Sequence, residues 1–386
     1  MKFNFIIAII VIIFSCTERK ATPDLQYMNY KKGNLVISLD SVSSYEFYWT
    51  QLINHENKST LLNLNKVINS LDFYTLDSNL SKGFLEKRIP LNSPDKFSGT
   101  PVQGFFFHNI DSIFLFPQFT LNGTTLIDGK GTVHRKYRLS IPENSEISQA
   151  LNHVSSPSSE TVLVKDKLYA STATLTNTSK NEGISDAFRA IVVADLESET
   201  VYMNSKVGYP SLYIGRSVTN HHAFLTRTFV SDSLWVHSYP LLDSLQIYDK
   251  EYNFLKSVSV SSDYFKGFSE TPKNTAQNEQ VEFIVTQASY GRILYDPFRK
   301  LYYRFVLHGR EISDREILEP KSSHKNHFSI IVTDSDYKKL KEIVFPGEIY
   351  HNYSALVSPK GLLLPKINHF YNELNDEWLE YDIFSF

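Results

Sequence analysis

The groups in this chain that could do chemistry are twelve histidines, a single cysteine and three dense aromatic clusters. The clusters are Phe105-Phe106-Phe107-His108, Tyr302-Tyr303-Arg304-Phe305 and Tyr350-His351-Asn352-Tyr353. A strand carrying consecutive aromatics must present some on each face. One face enters a core between sheets. The other is free to line a groove or channel mouth, where rings beside a cation or imidazole suit a sugar or a peptide. On that reasoning Arg304 and His351 are the candidate ligand-binding residues.

Other chemistries lack their signatures. No His-Glu-x-x-His, cysteine pair or EF-hand loop marks a metal site. His221 and His222 are adjacent and would face opposite ways on a strand, while His324 and His327 fall in a charged stretch read as a loop. Gly-x-Ser-x-Gly is absent, so nucleophilic catalysis has no local mark. Gly129-Lys130-Gly131-Thr132 lacks the spaced glycine of a phosphate cradle and reads as a hairpin turn. The pairs Glu377/Glu380 and Asp334/Asp336 could do acid–base work only if burial shifted them, and both stand at strand ends. No catalytic residue and no metal ligand are therefore predicted. The net charge of −3 leaves no basic surplus for phosphate contacts, which argues against nucleic acid as a partner.

The elements that must position these groups read as strands. Short apolar runs rich in Tyr, Phe, Val, Ile and Thr alternate with Asn, Asp, Ser, Gly and Lys from Leu35 onward. Helical spacing is tolerable only over Glu146–His153 and Lys58–Asn69. One phrase recurs, an apolar strand ending in Asp, a polar turn and a further strand, with the Asp at 77, 128, 195, 249, 334 and 382. The intervals are longer and less regular than the roughly 40–50 residues of familiar propeller repeats. Six four-stranded units with loop insertions account for them. The expected fold is all-β, a six-bladed propeller whose N-terminal strand, Asn34–Leu39, completes the last blade and leaves no loose edge. A seven-bladed ring and a pair of β-sandwiches are the alternatives. Tyr290–Asp296 with Lys300–Val306 predicts a long hairpin, and Glu311–His327 an insertion able to dock a partner.

The N-terminus places the domain. Lys2, an apolar run over Phe3–Phe14 and the small Ser15 describe a secretory signal over residues 1–15. The run is short of the roughly 20 residues that span a bilayer. Ile13-Phe14-Ser15-Cys16 resembles the bacterial lipobox, which implies an acylated Cys16 as the membrane anchor, with residues 16–32 as tether and 33–386 as the propeller domain. Acyl chains anchor firmly, at about 0.8 kcal/mol per buried CH₂. Cys16 is the only cysteine, so no disulfide supports the fold.

The lipobox, the length, Tyr295-Asp296-Pro297 leading to Tyr302-Tyr303-Arg304-Phe305, and the closing segments Ser358–Leu363 and Glu380–Phe386 resemble an uncharacterised Bacteroidetes lipoprotein family, the domain of unknown function numbered 4221. The resemblance implies a propeller-like fold and an outer-membrane, lipid-anchored location facing the periplasm or the surface. It implies no activity. Asp-Ser-aliphatic triplets at Ser41, Ser112, Ser233 and Ser244 resemble the O-glycosylation motif of exported proteins in that phylum; the same residues also make turns. The expected function is a membrane-anchored binding module for a protein or glycan. A structural subunit of an outer-membrane assembly is the second reading. A calcium-dependent propeller enzyme, lactonase- or lyase-like, is the third, with calcium in the channel as its ion.

Overall fold

A computed structural model describes residues 25–55, 58–92, 102–117, 121–142, 153–154, 159–172 and 183–386. The signal segment and Cys16 lie outside the described residues, as does most of the expected helix at 146–153. After a short 3₁₀ turn, β1 (Lys31–Ser38) is followed by β2 (Thr50–His55), β3 (Lys58–Asn65), β4 (Ser70–Leu76) and β5 (Lys82–Pro90). Next come β6 (Val102–Asn109), β7 (Ser112–Pro117), β8 (Thr125–Ile127) and β9 (Val133–Lys136). The third group is β10 (His153–Val154), β11 (Val162–Val164), β12 (Lys167–Thr172), β13 (Ile191–Asp195) and β14 (Thr200–Met203). The fourth is β15 (Thr226–Val230), β16 (Leu234–Ser238), β17 (Ser244–Asp249) and β18 (Phe254–Ser259). The fifth is β19 (Ser289–Asp296), β20 (Leu301–Leu307), β21 (Phe328–Thr333) and β22 (Lys339–Phe345). The chain closes with β23 (Leu356–Ser358), β24 (Gly361–Pro365) and β25 (Trp378–Phe384).

The arrangement is a β-propeller. Four sheets of four or five strands stand as separate blades, β6–β9, β10–β14, β15–β18 and β19–β22. The remaining sheet has eight strands in the order β2-β3-β4-β5-β1-β25-β24-β23. The sequence predicts six separate blades; the described residues form five sheets, of which four are separate blades. β1 runs antiparallel to β25 from Lys31 to Ser38 and also pairs in parallel with β5 at Val36–Lys82 and Ile37–Gly83. Gly83 permits that approach, because a Cβ there would stand 3.1 Å from Cγ1 of Ile37 and 2.7 Å from Leu76. The first and last four-strand sets therefore join at their outer edges.

Burial follows position in the blade. β21 and β24 are buried along their whole length. Each is covered on both faces by neighbouring sheets, so these strands read as continuous apolar runs. β18, at an outer edge, is exposed along almost its whole length. The same effect corrects the helix expected over Lys58–Asn69. Leu61, Leu62 and Leu64 are all buried on β3, one or the other face of a doubly covered strand, and only their spacing imitates a helix. The long hairpin exists as β19 and β20.

The recurrent Asp has a physical role. Asp77, Asp128, Asp195, Asp249 and Asp334 each close the turn between the third and fourth strand of a set by accepting backbone N–H groups two to five residues on. Asp382 does not. It lies on β25, whose next neighbour in the sheet is β1, from the other end of the chain, so no turn is needed there. Asp382 instead accepts the Tyr350 hydroxyl (2.7 Å) and pairs with Lys31 (2.7 Å). Among the described residues, no helix is long and apolar enough to cross a membrane.

Candidate functional site at the channel mouth

β15 lies against β19, β19 against β23, and β23 against β2, so these strands form the inner wall around the axis. The segments leading into them converge at one end. Tyr48 and Trp49 precede β2. The helical turn Asn220–Ala223 precedes β15, and Tyr350–Ala355 precedes β23. Glu160 sits where the inner edge of its blade is broken between β10 and β11.

The side chains meet ring to ring. His351 stands 4.8 Å from Tyr48, 5.4 Å from His324 and 6.0 Å from Tyr353, centroid to centroid. Tyr353 stands 6.5 Å from His221. His324 comes from the insertion between β20 and β21. That insertion is pinned by Asn326, whose amide donates to the carbonyls of Val285 and His308. The helix Gln277–Thr286 is thereby tied to the same loop. A small cavity of about 20 Å³, room for one water, lies behind His324, His351 and Tyr353.

Two buried arginines frame the opening. Arg227 donates to the carbonyls of Tyr169 (2.6 Å) and Glu160 (3.2 Å), fixing the backbone of Glu160. Arg292 donates through Nη1 to the carbonyls of Tyr353 and Ala355, and its Nη2 lies 3.9 Å from the Glu160 carboxylate. Arg292 Nε has no partner among the described residues. Glu160 stands deep among protein atoms yet keeps 48% of its side-chain surface accessible, as expected for a residue lining an interior opening. Desolvation pushes its carboxyl upward, opposed by Arg292 and Arg227. Desolvation also holds His221 and His324 down to about 4 and His351 to about 3, so at neutral pH all three are uncharged. Burial raises the Tyr48 phenol to about 12. Among the described residues the mouth is thus a ring of neutral imidazoles and phenols with one carboxylate beside two guanidinium groups. Such groups donate and accept hydrogen bonds in both directions. Among the described residues, no group of three or more His, Cys, Asp or Glu is placed to hold a metal ion.

The candidates from sequence separate here. His351 is in the mouth, its Nδ1 2.8 Å from Ser354 Oγ. Arg304 is not. It is fully buried between two blades, with its nitrogens on Ser238 Oγ and the carbonyls of Leu242, Asp243 and Val260, over the ring of Tyr290 at 3.5 Å. The alternation argument failed because β20 has no solvent face. His221 and His222 lie on a helical turn rather than a strand; His222 is buried against Phe283. His327 is exposed, away from His324 in the mouth. Of the four Asp-Ser sites, Ser41 and Ser233 are exposed, while Ser112 and Ser244 are half-buried at strand starts. Glu380 pairs with Lys366, and Asp334 accepts the N–H of Asp336. Tyr48, Glu160, His221 and Arg292 were not predicted; the one usable signal was their place just before, within or beside the innermost strands.

Comparison with known proteins accords with the fold. A family model described as a domain of unknown function (DUF4221) matches residues 26–344. The chain is similar to a crystal structure of a DUF4221 family member from Bacteroides vulgatus, at 18% identity over 92% of this chain and 97% of that one, with a TM-score of 0.77. Weaker likenesses are a calcium-binding protein, regucalcin, from Agrobacterium tumefaciens (9% identity, 92% and 93% covered, TM-score 0.42) and virginiamycin B lyase from Staphylococcus aureus (9% identity, 91% and 99% covered, TM-score 0.40). No curated protein matches the chain.

Proposed function

The chain belongs to the DUF4221 family, and from that premise we propose that it is a lipid-anchored binding module of the outer membrane whose propeller takes a glycan at the channel mouth. The observation that carries this reading is the convergence of Tyr48, His221, His324, His351 and Tyr353, all uncharged at neutral pH, around a single Glu160–Arg292 pair. Neutral groups of mixed donor and acceptor character, with ring edges between them, match a polyhydroxylated ligand better than an ion. Cys16 supplies the anchor in this reading, and the propeller presents the mouth as a rigid platform. We read the eight-stranded sheet as two blades sharing an outer seam, which gives six in all; each half has four strands with its inner edge on the axis.

The test uses the full-length lipoprotein on an array of bacterial and host glycans. Binding that falls about tenfold or more in a Tyr48→Ala, His351→Ala double variant supports the mouth as the site. Undiminished binding, or no glycan bound by folded protein, overturns it. Labelling with a fatty-acid analogue, lost in Cys16→Ala, checks the anchor.

A further inference from the structure

Beside the channel mouth, between the β2–β5 strands and the β6–β9 blade, lies a second opening of about 320 Å³, within the roughly 300–1,000 Å³ of small-molecule sites. Glu46, Tyr48, Trp49, Asn63, Lys66 and Gln103 line it. Lys66 is its central group. Its ammonium donates to the carbonyl of Val102 (2.9 Å) and to Gln103 Oε1 (2.9 Å), and stands 4.5 Å from the centroid of Trp49. All three partners are neutral. Lys167, Lys325, Lys339 and Lys366 are each paired with an Asp or Glu instead. An ammonium carries three donors, and within the described residues Lys66 uses two on oxygens. Burial without a carboxylate holds it down to about 8.

A second observation points the same way. Asn63 is 3% exposed, lines this opening, and its Oδ1 has no partner among the described residues. Thr50, its cross-strand neighbour, likewise has an unpartnered hydroxyl oxygen. A buried acceptor left open is costly and calls for a donor.

Tyr48 belongs to both openings. Its ring is 4.8 Å from His351 on the mouth side and 6.2 Å from Trp49 on the other, and Lys321 stands 5.7 Å over it. A ligand seated at the mouth therefore reaches Lys66 by passing along Tyr48.

We propose that the Lys66 pocket takes the carboxylate of an acidic sugar residue, so that the glycan of the channel mouth is a hexuronate-containing one. This rests on the glycan reading above. One cation without a carboxylate receives one anion. The amides of Asn63 and Gln103 face hydroxyl groups, and the ring of Tyr48 covers the link to the mouth. Glu46, exposed at the rim, is the one carboxylate among the described residues lining the pocket and disfavours a second anionic group there.

The experiment uses the full-length protein with polygalacturonate, alginate and hyaluronan oligosaccharides. Each is compared with its carboxyl-reduced counterpart, which keeps the backbone and loses the charge. Affinity is measured directly, and the acylation of Lys66 by acetic anhydride is followed by mass spectrometry. At least one acidic oligosaccharide is expected to bind about tenfold more tightly than its reduced form and to protect Lys66 selectively. Lys66→Met should erase that preference, so that acidic and reduced forms bind alike, and Lys66→Arg should restore most of it. Equal binding of acidic and reduced forms, or a preference that survives Lys66→Met, sinks the Lys66 assignment and leaves the glycan reading standing. Failure of every sugar, acidic or neutral, sinks both. Equal protection of Lys66 by an oligoglutamate peptide would overturn the sugar in favour of an acidic peptide.

Discussion

Arg304 and Arg292 stand on paired strands, β20 and β19, equally buried, and both guanidinium groups are pushed down to about 10 by desolvation. They do different work. Every nitrogen of Arg304 is bonded, to one hydroxyl and three carbonyls of the β15–β18 blade and the loops at its ends, and its plane lies over Tyr290. Arg292 bonds two carbonyls of the segment before β23, keeps Nε open among the described residues and faces Glu160 across 3.9 Å. A charge whose nitrogens are all bonded to oxygens of a neighbouring blade is a rivet between blades. One with donors left over, beside an accessible carboxylate, belongs to a site. Burial alone does not tell them apart; the count of unmet hydrogen bonds does.

The largest test of that contrast is Arg304→Met. It strands one hydroxyl and three carbonyl oxygens and should cost roughly 3 kcal/mol or more of stability, read as a lower urea midpoint. Arg292→Met, with fewer acceptors stranded, should cost about half as much. Equal losses would mean that both are rivets and that the opening at Arg292 has no special standing.

Glu160→Gln sharpens the contrast from the other side. Desolvation raises the folded-state carboxyl, so the native chain holds its proton to higher pH than the unfolded one. Its contribution is present below the ordinary carboxylate range and is lost as pH rises through the raised value. The Gln variant should therefore be no less stable at pH 7, and slightly more so, while its glycan affinity falls about tenfold, or about 1.4 kcal/mol. A loss of stability at pH 7 would place Glu160 with the rivets. Urea melts and titration on the same preparation decide it.

The turn carboxylates go the opposite way. Asp195 is held below its ordinary range by Lys167, despite some burial, and by the N–H groups of Ser198 and Glu197. Asp195→Ala should cost about 1 kcal/mol, with no effect on binding. These residues were legible in the sequence because a turn is local: the Asp, the amides it accepts and the next strand lie within a few positions. The strand grammar and the pairing of the N-terminal strand with β25 were also legible, since alternation and the strand nearest each end are read along the chain. The mouth was not. Tyr48, Glu160, His221 and Arg292 come from four separate segments, and no spacing joins them until the blades close the ring. Arg304 looked like a ligand residue because its neighbours are aromatic, and a strand buried on both faces gives no periodicity to show which way a side chain points.

The smallest expected effect separates the two regions by pH. Six histidines, His221, His222, His237, His308, His324 and His351, are held below their ordinary value by burial. The unfolded chain takes up protons at these groups near the usual value of about 6.5, which the native chain refuses until about 4 or lower. More protons are then bound in the unfolded state, so stability falls as pH falls through that window. The lowered turn carboxylates, Asp77, Asp195 and Asp249, contribute stability above the ordinary carboxylate range that is lost only at still lower pH. The two regions thus respond in separate windows. His221, His324 and His351 are half of the histidine set, and His351 is further disfavoured as a cation by His324, Lys321 and Arg292. Replacing all three with Gln should flatten the dependence of the urea midpoint between pH 6.5 and 4 by about half, and leave the fall below about pH 3 unchanged. An unaltered slope would mean that the mouth histidines already carry charge in the native protein, and the neutral lining on which the glycan reading depends would be lost with it.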